Sequence, residues 1–396
     1  MNSTPNSNRL HVALFGRRNS GKSSLINALT GQDIALVSAT PGTTTDPVSK
    51  AMEVYPLGAC LFIDTPGFDD NEGELGAMRV KRTLKIVEST DIALMLCEDG
   101  GAMERQWMRL LSEREIPIIL ILNKADLRPD AEGQASCIAE NCGERPLIVS
   151  AKERTGLADI FRAILENIPE DFGGQSITGG LVGEGDVVLL VMPQDIQAPR
   201  GRLILPQVQT IRELLDKKCL VMSCTTDKLP ATLQSLVRPP KLIITDSQVF
   251  PLVYAQKPAE SLLTSFSVLF ARYKGDIDYF LKGASAIGSL TEQSRVLIAE
   301  ACTHAPLSED IGRVKLPRLL RKRIGEHLQI DIVSGNDFPQ DLSAYDLIIH
   351  CGACMFNRKY VLSRIAQAQA QHIPMTNYGV ALAYLSDILD KIVINN

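Results

Sequence analysis

The sequence predicts an α/β protein of 396 residues in which three α/β domains follow one another. Apolar runs of strand length alternate with stretches of helical length, which is typical of parallel sheets covered by helices on both faces. Residues 169–186 interrupt this alternation with six glycines in 18 positions, and such a segment cannot hold a helix. The chain length also favours two or three domains.

The first predicted domain, residues 1–170, contains five near-continuous apolar runs separated by helical patterns. Since buried strands of this kind pair in parallel, we expect a doubly wound sheet. The strand candidates are Leu10–Phe15, Cys60–Asp64, Asp91–Leu96, Pro117–Leu122 and Leu147–Ser150, and two of the helix candidates are Lys22–Leu29 and Gly156–Asn167.

The second predicted domain, residues 171–258, is a small βαβ-type unit without an obvious polar site, which favours a structural or dimerising role. The third, residues 259–396, begins with helical patterns and returns to α/β. The elements expected in the second are Val187–Met192, Gln207–Lys217, Cys219–Ser223, Leu229–Val237 and Leu242–Thr245; those in the third are helices Ser261–Tyr273, Thr291–Ala301 and Arg358–Gln371 and strands Leu328–Val333 and Asp346–His350.

Composition excludes several classes of protein. Hydrophobic residues make up 45% and charged residues 22%, as in ordinary globular proteins. The net charge of −5 argues against binding to nucleic acid, which needs a basic surface. No apolar run is long enough to cross a membrane, and the first residues do not form a signal peptide. Nine cysteines, an odd number, without a secretion signal favour a cytoplasmic location with reduced thiols.

A phosphate-binding loop is predicted between the first strand and the first helix, where the spacing Gly16-x4-Gly21-Lys22-Ser23 occurs. Glycines let the backbone wrap around phosphates with its N–H groups pointing inward. Lys22 would neutralise the β- and γ-phosphates, and Ser23 would bind Mg²⁺. The residues predicted to line this loop are Gly16, Asn19, Ser20, Gly21, Lys22, Ser23 and Ser24.

Two segments that follow in sequence are predicted to complete the Mg²⁺ and γ-phosphate contacts. Asp64 ends a strand, where its carboxylate can reach Mg²⁺, and Gly67 can donate its N–H to the γ-phosphate. Thr43-Thr44-Thr45 lies in a turn-rich stretch that suits a switch loop ordered around Mg²⁺, with Thr44 as a ligand.

Two further segments predict that the base is guanine. Asn123-Lys124-Ala125-Asp126 ends another strand, and Asp126 can accept hydrogen bonds from N1–H and the exocyclic amine, which adenine does not present together. Ser150-Ala151-Lys152 follows the last strand and is placed to offer a backbone N–H to the guanine carbonyl.

Soft metal ligands are concentrated near the end of the chain. Cys302 and His304 form a CxH pair, and 45 residues later His350, Cys351 and Cys354 form an HCxxC group. This spacing fits structural zinc with three thiolates and one imidazole. It equally fits an iron–sulfur cluster with three thiolates and one exchangeable position. Either histidine is a candidate fourth ligand.

Across residues 9–168, the five nucleotide motifs resemble those of translation-factor-class GTPases of the Era/TrmE type. The resemblance implies a P-loop GTPase domain and assigns catalysis to Asn19, Lys22, Thr44 and Gly67. In such proteins the asparagine of the loop helps to bind K⁺, which supplies positive charge to the transition state. Phe68 cannot orient water as the glutamine of Ras-like enzymes does, so we expect slow, K⁺-stimulated hydrolysis. Glu74 is a weaker candidate for orienting the water.

The order of GTPase motifs, CxH and HCxxC resembles the HydF family of [FeFe]-hydrogenase maturation GTPases along the whole chain. The resemblance implies a central dimerisation domain and a C-terminal domain in which Cys302, Cys351 and Cys354 hold a 4Fe-4S cluster. It implies a homodimer or higher oligomer that receives a di-iron precursor from radical-SAM maturases and delivers it to apo-hydrogenase. The alternative is an Era-like GTPase with a structural zinc domain, acting in ribosome or tRNA maturation.

Overall fold

The computed structural model describes residues 4–31, 49–68, 73–170, 172–173, 175–193, 203–301, 310–335 and 337–394, and for residues 73–79 it describes the backbone alone. Within these residues the chain divides into two compact units, Met1–Gly174 and Gln175–Asn396. No helix in the described ranges has both the length and the apolar character needed to cross a membrane.

The first unit contains a six-stranded sheet with strand order β2-β3-β1-β4-β5-β6. Side chains of β1 alternate between the two faces, as Leu14 packs into one apolar cluster and Phe15 into the other. The sheet is therefore covered by helices on both faces, as predicted. The elements are β1 (Leu10–Gly16), α1 (Lys22–Thr30), β2 (Ser49–Val54), β3 (Gly58–Asp64), α2 (Gly73–Val87), β4 (Ile92–Leu96), α3 (Ala102–Ser112), β5 (Ile118–Leu122), α4 (Ala131–Cys142), β6 (Leu147–Ile148) and α5 (Leu157–Glu166).

One strand of this sheet departs from the predicted parallel pattern. Strand β2 pairs with β3 in the antiparallel direction and lies at the edge of the sheet. Its residues alternate between exposed and buried positions, so the strand lacks the continuous apolar run by which the other five were identified.

The second unit contains two four-stranded sheets, both parallel, with orders β10-β9-β7-β8 and β12-β11-β13-β14. Since β10 belongs to the first of these, that sheet extends past residue 258, and the three-domain division stays a prediction. The elements are β7 (Val187–Val191), α6 (Leu205–Asp216), β8 (Leu220–Cys224), α7 (Leu229–Ser235), β9 (Leu242–Thr245), α8 (Phe250–Gln256), β10 (Leu262–Ser265), α9 (Phe266–Lys274), α10 (Ile277–Ser285), β11 (Arg295–Glu300), α11 (Leu316–Ile324), β12 (Gln329–Ser334), β13 (Leu347–His350), α12 (Arg358–Ala370), β14 (Met375–Asn377) and α13 (Tyr378–Leu385).

Two helices predicted in the second unit are wrong in whole or in part. Within the stretch Thr291–Ala301, residues Arg295–Glu300 form strand β11, because the buried apolar run lies between two parallel partners and has a length that suits a strand. The stretch Ser261–Tyr273 divides into strand β10 and helix α9, which begins where the Ser265 side chain accepts a hydrogen bond from the Val268 N–H.

Strands β11 and β13 are neighbours, with Ala299 opposite His350. Carboxyl ends of neighbouring parallel strands meet at one edge of a sheet. The segments that begin after Glu300 and after His350 therefore leave the sheet at the same edge, although Cys302 and His304 themselves lie outside the described residues.

Candidate functional site

The phosphate loop connects β1 to α1, as predicted, and its backbone takes conformations that its residue types allow. Gly16, Asn19 and Gly21 have φ values of 153°, 61° and 93°, and glycine and asparagine are the residues that best tolerate positive φ. A Cβ atom on Gly21 would lie 2.4 Å from the Asn123 amide nitrogen, so only glycine permits this close approach.

The ammonium group of Lys22 lies inside this loop. Lys22 is the first residue of α1, and its Nζ donates to the carbonyl oxygens of Gly16 and Arg17 at 2.9 and 2.7 Å. The side chain is buried. The positive charge is therefore fixed where the loop backbone would surround phosphate groups.

Ser23 and Asp64 form the part of the site suited to a divalent cation. The Ser23 hydroxyl donates to Asp64 Oδ2 at 2.5 Å, and the other carboxylate oxygen is buried without a hydrogen-bond partner among the described residues. Burial raises the pKa of Asp64, while the Ser23 hydrogen bond and the charge of Lys22 lower it. An oxygen ligand in this situation fits Mg²⁺, which would compensate the buried charge.

Asn123 links the phosphate loop to the segment predicted to contact the base. Its Nδ2 donates to the Ser20 carbonyl at 3.1 Å, and its Oδ1 accepts the Ala151 N–H at 3.2 Å. The Lys124 ammonium donates to the Asn19 carbonyl. These contacts join three of the five sequence motifs into one structure.

Asp126 is exposed, and its carboxylate is oriented by the neighbouring motif. The Ser150 hydroxyl donates to Asp126 Oδ1 at 2.6 Å and accepts the N–H of Glu153 at 3.1 Å. The Ser150 hydroxyl thus fixes the orientation of the Asp126 carboxylate. In this orientation the carboxylate is suited to accept hydrogen bonds from two adjacent N–H groups of a base. The ammonium-bearing side chain of Lys152 is exposed.

Phe68 is directed into the core of the unit. Its ring stacks on Trp107 with a centroid distance of 5.5 Å, and Trp107 stacks on Phe15 at 6.2 Å. A buried ring at this position cannot orient a water molecule. The predicted switch residues Thr43, Thr44 and Thr45 lie outside the described residues, as does the side chain of Glu74.

The Cys351–Cys354 loop leaves the carboxyl edge of the sheet formed by β11–β14. Cys351 Sγ accepts backbone N–H groups from Ala301 at 3.0 Å and from Ala353 at 3.4 Å. Burial raises the pKa of the Cys351 thiol, and these two N–H groups lower it. Hydrogen bonds of this kind favour a thiolate sulfur, so the donor chemistry fits a metal-bound cysteine.

A buried lysine supports this loop, and its role was not predicted. Lys274, the last residue of α9, donates from Nζ to the carbonyl oxygens of Ala353, Cys354 and Phe356 at 2.9, 3.3 and 2.7 Å. The only signal in the sequence is a lysine at the end of the apolar stretch FSVLFARYK, which does not indicate its partners.

His350, a candidate fourth ligand, has both ring nitrogens engaged. An Arg364 N–H group donates to His350 Nε2 at 3.0 Å, so Nδ1 carries the proton and donates to the Cys351 carbonyl at 2.7 Å. Burial, and secondarily the Arg364 charge, lowers the pKa of His350 to about 3. Ligation by His350 stays a prediction and would require breaking one of these contacts.

The described residues do not by themselves assemble a metal site. Among them, no group of three histidine, cysteine or acidic side chains is close enough to hold a metal ion. Cys351 and Cys354 contribute two thiols, and the third predicted ligand, Cys302, belongs to the segment beginning two residues after the end of β11.

The fold and the nucleotide site of the first unit define a P-loop GTPase, and the family models agree. Residues 11–124 match the model described as 50S ribosome-binding GTPase, residues 177–275 the hydrogen maturase F dimerization domain, and residues 278–394 the hydrogen maturase F tetramerization domain. The last two matches together cover more than half of the chain. The chain belongs to the hydrogen maturase F family.

Curated relatives share the GTPase part. GTPase Era of Carboxydothermus hydrogenoformans is 32% identical over 167 residues, covering 40% of this chain and 55% of the relative. The tRNA modification GTPase MnmE of Moorella thermoacetica is 34% identical over 173 residues, covering 43% of this chain and 37% of the relative. The chain thus spans about half or less of the length of these relatives.

Solved structures were also matched. Era in complex with MgGDPNP and a segment of 16S ribosomal RNA is 17% identical, covers 64% of this chain and 98% of that chain, and has a TM-score of 0.37. NFeoB from S. thermophilus bound to GDP.AlF4⁻ and K⁺ is 23% identical, covers 40% of this chain and 62% of that chain, and has a TM-score of 0.33.

Replacing Asp126 tests the base-recognition site. In Asp126→Asn the charged acceptor of two N–H groups is lost, so we expect GTP affinity to fall roughly 10- to 100-fold, since hydrogen bonds to charged groups contribute about 1.5–3 kcal/mol. Fluorescent GTP titration measures this. Glu153→Gln, an exposed neighbour, is the matched control and should bind GTP normally. Unchanged affinity in Asp126→Asn would contradict the assignment.

Proposed function

We propose that this chain is a GTP-hydrolysing scaffold that holds a 4Fe-4S cluster and carries a di-iron precursor to apo [FeFe]-hydrogenase. The observation that carries the proposal is the coexistence of two edge sites in one chain. In the first unit the guanine-nucleotide motifs among the described residues meet at the loop that holds Lys22, and in the second a hydrogen-bonded cysteine loop leaves the sheet beside β11. Membership of the hydrogen maturase F family supports the same function.

In the nucleotide site, the chain's own residues would bind and orient GTP. Lys22 and the loop N–H groups would hold the phosphates, and the Gly67 N–H would contact the γ-phosphate. Ser23, Thr44 and Asp64 would hold Mg²⁺, which neutralises phosphate charge when bound. Asp126 and the Ser150–Lys152 segment would select guanine.

We propose that Asn19 helps to compensate the negative charge that develops in the transition state of GTP hydrolysis. Phe68 is buried against Trp107, so the position after the DTPG sequence offers no polar group to the attacking water. Asn19 is an exposed residue of the phosphate loop with a positive φ, and its backbone carbonyl accepts a hydrogen bond from Lys124. We propose that Asn19 helps to bind K⁺ there, which would supply the positive charge.

We expect GTP turnover to be roughly tenfold or more faster in K⁺ than in Na⁺ at equal ionic strength, because K⁺ bound at Asn19 would stabilise the negative charge of the transition state. Phosphate release assays measure the ratio. Asn19→Gly retains the backbone conformation and removes the side-chain ligand, so the two salts should then give similar rates. Persistent K⁺ activation in that variant would show that the ion is bound elsewhere.

In the second site, Cys302, Cys351 and Cys354 would hold the cluster, with His304 as the candidate fourth ligand because His350 is already engaged by Arg364 and the Cys351 carbonyl. Such a cluster supplies one iron with an exchangeable position when bound. The Ala301 and Ala353 N–H groups would stabilise the Cys351 thiolate, and Lys274 would hold the loop in shape.

The matches to a dimerization and a tetramerization domain support a homodimer or higher oligomer. As partners we propose radical-SAM maturases, which would supply the di-iron precursor, and apo-hydrogenase, which would receive it. GTP binding would bias the exchange of these partners through the switch segments, and the cytoplasm is the proposed location.

Two variants should separate the two sites. Cys302→Ser removes one of three ligands, so we expect loss of bound iron and of hydrogenase maturation with GTP turnover within about twofold of the unmodified protein. Lys22→Ala removes the phosphate-binding charge, so we expect at least a roughly hundredfold loss of GTP affinity with full iron content. Iron assay, nucleotide titration and a maturation assay measure these effects.

Cys137→Ser is the matched control for the cysteine variant, because Cys137 is an exposed thiol on α4 outside the proposed site. It should keep both activities. Equal loss of iron and GTP turnover in a folded Cys302→Ser protein would contradict the separation of the sites.

A further inference from the structure

The hydroxyl group of Tyr378 is buried and has no hydrogen-bond partner within the described part of the chain. Tyr378 is the first residue of α13 and follows β14 directly. A buried tyrosine hydroxyl normally finds an acceptor, since an unsatisfied one costs free energy. Its isolation here indicates a position that is complete only when another group is present.

Tyr378 occupies the same sheet edge as Cys351. Strands β13 and β14 are parallel neighbours with His350 opposite Asn377, and Cys351 and Tyr378 are the residues that directly follow the two strands. The Asn377 side chain bridges this edge, since its Nδ2 donates to the Cys351 carbonyl at 3.4 Å. The residues that carry the phenol and the thiol therefore leave the sheet at neighbouring positions of one edge.

A glycine provides the space for the phenol. Gly312 lies in a short π-helix, Ile311–Lys315, and a Cβ on it would lie 2.1 Å from the Tyr378 hydroxyl oxygen. The same Cβ would lie 2.8 Å from Glu300 Oε1. Only a residue without a side chain allows the hydroxyl to lie here.

Carboxylates near the hydroxyl accept hydrogen bonds from other donors, and the Glu300 oxygen beside Gly312, Oε1, makes none with the phenol. Glu300 Oε2 accepts from the Arg313 guanidinium at 2.9 Å and from the Ser334 hydroxyl at 3.1 Å. The Asp310 carboxylate accepts the Arg313 backbone N–H at 2.9 Å. These contacts fix the surroundings of the phenol without using its proton.

The phenol of Tyr378 carries its proton at neutral pH, as tyrosine side chains ordinarily do, so it is a hydrogen-bond donor. No described residue accepts a hydrogen bond from it.

We propose that the Tyr378 hydroxyl donates a hydrogen bond to a sulfur atom of the iron–sulfur cluster held by Cys351, and so raises the reduction potential of that cluster. The inference rests on the proposed cluster-binding function. Hydrogen bonds to cluster or thiolate sulfur stabilise the more negative, reduced state. Tyr378 is thus a positioning residue whose partner arrives with the cofactor.

The test uses full-length Tyr378→Phe protein, reconstituted anaerobically and compared with the unmodified protein. We expect the same iron content and a more negative midpoint potential in an EPR-monitored redox titration. Without the cluster, the melting temperature should stay equal or rise, because the lost hydroxyl had no partner in that state.

Two further variants make the comparison specific. Tyr279→Phe removes a hydroxyl that donates to the Ile373 carbonyl, so it should lower the melting temperature of the cluster-free protein and leave the potential unchanged. Gly312→Ala keeps the Tyr378 hydroxyl and displaces it, so its potential should shift in the same direction as that of Tyr378→Phe.

An unchanged potential in iron-loaded Tyr378→Phe would overturn the inference while leaving the cluster site intact. A lower melting temperature of the cluster-free variant with an unchanged potential would assign the hydroxyl a purely structural role and overturn it equally. If the unmodified protein binds no cluster under these conditions, the proposed function fails and this inference fails with it, so the two failures are distinguishable.

Discussion

Parallel pairing of strands brings the ends of neighbouring strands to one edge of a sheet, and both candidate sites depend on this constraint. In the first unit, the loops after β1, β3 and β5 carry the phosphate, cation and base motifs to one edge. In the second, the segments that follow β11, β13 and β14 leave the sheet at one edge. In the sequence, Cys302 comes two positions after β11 ends, Cys351 directly follows β13, and Tyr378 directly follows β14. Parallel pairing thus brings residues that are far apart in the sequence close together in space.

A buried lysine fixes the functional loop in both units. Lys22 donates to two carbonyl oxygens of the loop that precedes its own helix, whereas Lys274 donates to three carbonyl oxygens of a loop that lies 79 to 82 residues away in sequence. A lysine ammonium offers three donors, so it can hold several backbone carbonyls at once. The proposed ligands are anionic in both sites, and a fixed positive charge favours such ligands.

The sequence predicted the α/β class, the five parallel strands of the first sheet and the position of the phosphate loop, because apolar runs and glycine spacing are local signals. Strand β2 was missed because its half-exposed residues alternate. Strand β11 was mistaken for a helix, because a fully buried apolar run carries no periodicity that distinguishes a strand from a helix. Lys274 and Tyr378 were not predicted, because their importance arises from neighbours distant in sequence that no spacing reveals.

The central claim is that the cysteine edge site holds an iron–sulfur cluster in a chain that also binds GTP. Low-temperature EPR of anaerobically reconstituted, dithionite-reduced protein tests it most directly, with iron and zinc assayed in the same sample. We expect an S = 1/2 signal close to one per chain with about four irons, as a 4Fe-4S cluster requires. Stoichiometric zinc without that signal would contradict the account and favour the zinc-bearing Era-like alternative, whose RNA binding would then be measured.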